Sequence, residues 1–77
     1  MDDTFQQIVP LISITTGLES DEITPASDFK KDLSLDSLDA VELALSLEEE
    51  FGIEIDRDDI PSLVTVGDLV SYIESRM

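Results

Sequence analysis

The tripeptide Asp36-Ser37-Leu38 is where residue types and spacing come nearest to chemistry. Asp36 has the short acceptor side chain of a helix cap, and Ser37 to Phe51 run without Gly or Pro until Gly52, so Ser37 opens a helix. A serine hydroxyl is a weak nucleophile unless a base activates it. The chain has no histidine and no cysteine, which removes the commonest general base, the commonest metal ligand, thiolate metal sites and disulfides. A self-contained hydrolase or transferase is not expected. If Ser37 reacts, a partner enzyme supplies the catalysis; otherwise it is simply a helix-start residue. What the position would suit is a phosphate, because free backbone N–H groups and the positive end of the helix dipole favour an anion there.

Charge narrows the partners. Four basic residues stand against 19 acidic ones, a formal −15 on 77 residues. Such a field repels nucleic acid and anionic lipid and attracts basic protein surfaces. It also opposes compaction, so some of the acids are expected to serve more than folding, while others only solubilise. The 42% of hydrophobic residues fall in periodic segments, which predicts one packed domain over residues 1–77. No basic, apolar leader opens the chain and no apolar run nears a membrane span. A soluble, cytoplasmic monomer with no membrane insertion is the expectation.

Several elements must position Ser37. "DDTFQQIVPLISITTG" places Phe5, Ile8, Val9 and Ile12 near helical spacing, with Asp3 or Thr4 as cap and Gly17 as stop. Pro10 and the β-branched run Ile12, Ile14, Thr15, Thr16 weaken that helix locally, predicting a kink or late start with Phe5 and Ile8 still turned inward. Residues 18–35 read as a long ordered loop pinned by Leu18, Ile23, Phe29 and Leu33. "DRDDIPSL" allows one or two turns before Pro61 stops it. Thr65 then caps a last helix with Val66, Leu69, Val70 and Ile73 on one face. "GIEI" alternates but has no partner strand. The predicted fold is all-α, a small four-helix bundle of three longer helices and a short one, with the long loop between helices one and two.

A helical wheel from Ser37 separates two faces. Ala40, Leu43, Ala44, Leu47 and Phe51 span an arc from about 240° to 340°, the core face. Leu38, Val41 and Leu45 lie at roughly 40° to 100°, with Glu48, Glu49 and Glu42 around them. That second apolar patch either packs beneath the long loop or stays open as a surface rimmed with acids.

At this point the residues resemble a known family. "DLSLDSLDAVELALSLEEEFGIEI", with "ITPASDF" before it and "TVGDLVSYI" after, closely resembles the acyl carrier proteins from Leu18 to Ile73. The resemblance implies 4′-phosphopantetheine attached to Ser37 from coenzyme A, with Asp36 helping to place the Mg²⁺ used by the transferase. It implies no enzyme activity and no metal site of the chain's own. Leu38, Val41, Glu42, Leu45, Glu48 and Glu49 match the family's recognition helix. Its implied partners are a phosphopantetheinyl transferase (holo-synthase), ketosynthases, reductases, a dehydratase and acyltransferases with basic docking patches. Leu43, Leu47, Phe51, Ile55, Ile60 and Leu63 would border the cavity that shelters an acyl chain. Ser34 departs from the family's glycine, Asp56 from its proline, and Pro10 falls inside the first helix.

Within this reading, a dedicated carrier for fatty-acid synthesis comes first. A carrier for polyketide or other specialised chains is the alternative. An unmodified acidic interaction module is disfavoured by the intact Asp36-Ser37-Leu38. A calcium loop fails, since Ser37 and Leu43 stand where that pattern needs glycine and glutamate.

Overall fold

Short capping residues set where the helices begin and end. The computed structural model describes residues 2–77 as α1 (Asp2–Thr16), α2 (Ser37–Phe51) and α3 (Val66–Arg76). A 3₁₀ helix, Arg57–Ser62, separates α2 from α3, and a 3₁₀ turn, Ser20–Glu22, lies in the loop after α1. This is the expected all-α bundle of three longer helices and a short one. Among the described residues there is no strand, and the alternating Gly52–Ile55 segment forms none.

Asp36 caps α2, its Oδ1 accepting the Asp39 N–H at 2.8 Å. Gly52 ends that helix at φ +66°, its N–H donating to the Glu48 carbonyl at 2.9 Å. Thr65 and Asp68 exchange side-chain and backbone bonds at the head of α3. Asp56 caps the 3₁₀ helix by accepting the Asp58 N–H at 2.9 Å.

Helix α1 corrects two expectations. It starts at Asp2, so Asp3 and Thr4 lie inside its first turn and neither is the cap; Thr4 is buried. Pro10 sits within the helix without delaying its start. Pro10 and Gln6 are both exposed, so water can replace the N–H that proline withholds from the Gln6 carbonyl. Ile8 and Ile12 are fully buried and Phe5 packs partly against them. The Thr15 and Thr16 hydroxyls donate back to the Leu11 and Ile12 carbonyls, satisfying two polar groups in a poor helix sequence. Gly17, at φ +80°, then closes the helix.

The long loop is ordered from both ends. Ile23, Leu33 and Leu35 are buried, and Leu18 and Phe29 pack against the same core. Backbone bonds tie it to the head of α3: Phe29 N–H to Val64 O at 3.0 Å, Val66 N–H to Ser27 O at 3.0 Å and Gly67 N–H to Pro25 O at 2.8 Å. The approach at Gly67 is close, since a Cβ there would lie 3.1 Å from the Pro25 carbonyl oxygen.

The 3₁₀ helix is fastened to α3 by its polar side. Tyr72 donates its hydroxyl to Asp59 Oδ2 at 2.7 Å, and Arg76 reaches the same oxygen at 3.2 Å while lying over the Tyr72 ring. The Asp59 carboxylate raises the Tyr72 pKa, because it accepts the phenol proton and opposes a second negative charge.

Candidate modification site and cleft

Ser37 is the first residue of α2, exposed, and its hydroxyl has no hydrogen-bond partner among the described residues. Its nearest chain neighbour with a carboxylate, Asp36, spends one oxygen on the Asp39 N–H. With no histidine in the chain, nothing visible activates the hydroxyl from within.

Beside Ser37 opens a cleft of about 410 Å³, within the usual size of small-molecule sites. Leu43, Ala44 and Leu47 of α2 form one wall; Leu35, Ile55, Ile60, Leu63 and Leu69 close the rest. Five of the six expected cavity residues line it. Phe51 does not: it sits at the last turn of α2, about 21 Å along the helix from Ser37, and packs against the core beyond the cleft. Val41, placed on the second patch by the wheel, is partly buried and lines the cleft instead.

The rest of the second patch is open. Leu38 is 66% exposed and Leu45 45%, so the long loop does not cover them. Glu42 and Glu49 are exposed beside them in sequence. Glu48 is only partly exposed, and its Oε2 accepts the Ile55 N–H at 2.6 Å.

Sequence reasoning passed over the basic residues. Lys30, Lys31 and Arg57 all line the cleft, with Asp28 and Asp36. Asp28 organises the turn that carries the two lysines: its Oδ1 accepts the Lys30 and Lys31 N–H groups at 2.8 and 3.0 Å. Those bonds, that from Lys31 foremost, hold the Asp28 carboxyl below its ordinary pKa. The Asx-turn pattern was legible; the convergence of residues 30, 31 and 57 was not.

Comparison with known proteins places this geometry. The family model described as phosphopantetheine attachment site matches residues 6–73. The solved structure of an acyl carrier protein from Enterococcus faecalis is 37% identical, with a TM-score of 0.81 over 99% of this chain and 96% of that one. The chain belongs to the acyl carrier protein family. The cofactor of an acyl carrier protein with this domain is 4′-phosphopantetheine. The residues present fit such a group, offering an unbonded hydroxyl, a helix start for its phosphate and an apolar cleft alongside. Among the described residues no helix is long and apolar enough to cross a membrane.

Proposed function

We propose that Ser37 carries the 4′-phosphopantetheine arm and that the chain presents acyl groups to the enzymes of fatty-acid synthesis. The supporting observation is the exposed, unbonded Ser37 hydroxyl on the lining of an apolar cleft. When bound, the group supplies the terminal thiol that holds cargo as a thioester. Asp36 caps the head of α2 with Oδ1, and its carboxylate would help to place the Mg²⁺ that the partner transferase uses.

The walls favour a hydrocarbon cargo. Leu43, Ala44, Leu47, Ile55 and Leu69 offer no side-chain hydrogen bond, so keto or hydroxyl groups along a polyketide chain would be buried without partners. Leu38 and Leu45 provide open apolar contact, and Glu42 and Glu49 provide charge that steers basic partners. Those partners are the phosphopantetheinyl transferase, then ketosynthases, reductases, a dehydratase and acyltransferases.

Incubation with coenzyme A, Mg²⁺ and a phosphopantetheinyl transferase should add one phosphopantetheine, read by intact mass. Ser37→Ala should receive none; efficient labelling of that variant rejects the assignment. Intact mass of protein from its native host then reports the cargo, with saturated acyl chains expected and polyketide masses counting against the pathway.

A further inference from the structure

Among the described residues, three of the four basic side chains gather at the cleft. Three basic and two acidic residues line it, while the rest of the chain has 17 acids (19 less 2) and one base (4 less 3). Lys30, Lys31 and Arg57 come from two separate elements, the turn after Asp28 and the head of the 3₁₀ helix. All three are exposed while also lining the cleft, so they belong to its solvent-facing part. Lys30 and Lys31 attract the Asp28 carboxylate electrostatically, but among the described residues none of the three makes a close ion pair, although acids outnumber bases almost five to one in the chain. A hydrocarbon in the cleft has no use for cations, whereas a phosphodiester on Ser37, at the same lining, does.

We propose that Lys30, Lys31 and Arg57 form an electrostatic collar that draws the phosphodiester of the Ser37-linked arm over the cleft mouth, tilting the loaded state toward a sheltered chain. This rests on Ser37 being the attachment site. The collar residues are positioning residues and take no part in bond making. They act against a field of the wrong sign: without them the arm's anion faces Asp28, Asp36 and the acidic remainder, and is pushed away from the surface. Because the three side chains are exposed, each is expected to shift the in–out ratio by only about two- to five-fold, and salt should erase the shift.

The test uses the full chain loaded with octanoyl-phosphopantetheine in three forms. These are the natural sequence, K30Q/K31Q/R57Q, and a control Q6E/Q7E/S71E, which reaches the same net charge on exposed positions of α1 and α3. Amide NMR shifts of Leu43, Leu47, Ile55 and Leu69 between unloaded and loaded protein report whether the chain is inside. Thioester cleavage by hydroxylamine reports its exposure. The collar variant should lose much of the shift and be cleaved several-fold faster at low salt, while the control matches the natural sequence. Equal behaviour of all three forms, or equal losses in collar variant and control, would overturn the collar. A parallel loading with a chain ending in a carboxylate separates the sources of the anion. If only that cargo responds, the collar reads cargo and the phosphodiester assignment falls. Failure at the earlier step, with no mass added at Ser37, would remove the carrier reading and the collar together, whereas normal loading with no collar effect removes only the collar.

Discussion

Glu48 of α2 accepts the Ile55 N–H at 2.6 Å, across the turn that Gly52 opens. An acid from the helix expected to meet partners is thereby built into the fold, and it fixes the segment that leads Ile55 into the cleft. Glu48→Ala should cost about 1–2 kcal/mol, since a charge-assisted bond to a partly buried N–H is lost. Urea unfolding measures this, and a change inside experimental error would show that the bond adds nothing.

Glu42 and Glu49 have no such duty, so charge and fold separate there. Glu42→Lys and Glu49→Lys should weaken transferase and ketosynthase binding more than Glu54→Lys, an equal charge change at an exposed position outside the patch. Leu38→Ala should also weaken binding while altering stability by no more than about 0.5 kcal/mol, because Leu38 is 66% exposed. Calorimetric titration at two salt concentrations reads both effects, the charge term shrinking with screening. Equal losses at residues 42, 49 and 54 would mean that total charge alone matters.

Ser34 occupies φ +56°, a left-handed backbone region that favours glycine. A non-glycine residue in that region costs about 1–2 kcal/mol, partly offset by the chain entropy that glycine adds to the unfolded state. Ser34→Gly should therefore gain about 0.5–1 kcal/mol, and Ser34→Val should lose stability. Thermal denaturation of both variants checks the pair of signs.

Pro10 lies inside an uninterrupted α1 on an exposed position. Pro10→Ala restores a donor for the Gln6 carbonyl and relieves the ring's crowding, for a gain of about 1–3 kcal/mol. A higher melting temperature with unchanged helical content of the bundle is the expected result. A fall would place a native contribution in the proline ring that its exposure does not suggest.

Asp28 links stability to acid. Its folded pKa lies below the ordinary 3.8, so its contribution is complete above that value and disappears as pH falls through the lower folded value. Asp28→Asn should destabilise the turn at neutral pH and show a shallower loss of stability below about pH 4. Melting curves across that range, natural sequence against variant, test the sign. Parallel curves would mean that the two backbone donors do not distinguish the charged form.

Much of this protein was legible from short-range rules. Asp36, Gly52 and Thr65 act within four residues of themselves, so capping chemistry alone located α2 and the head of α3. The 3.6-residue period separated buried Leu43 and Leu47 from open Leu38 and Leu45, and the motif around Ser37 carried the family. Long-range placement was another matter. Pairing of residues 25–29 with 64–67, the Glu48–Ile55 bond, the left-handed turn at Ser34 and the exclusion of Phe51 from the cleft depend on how separate segments meet. So does the gathering of Lys30, Lys31 and Arg57 along one cleft: 26 positions separate the last two in the chain (57 less 31), and the loop's bonds to the head of α3 together with the packing of the 3₁₀ helix against α2 bring them to the same lining. Local bonds choose helices residue by residue, but which side chains share a cavity is decided by the burial that all the elements achieve together.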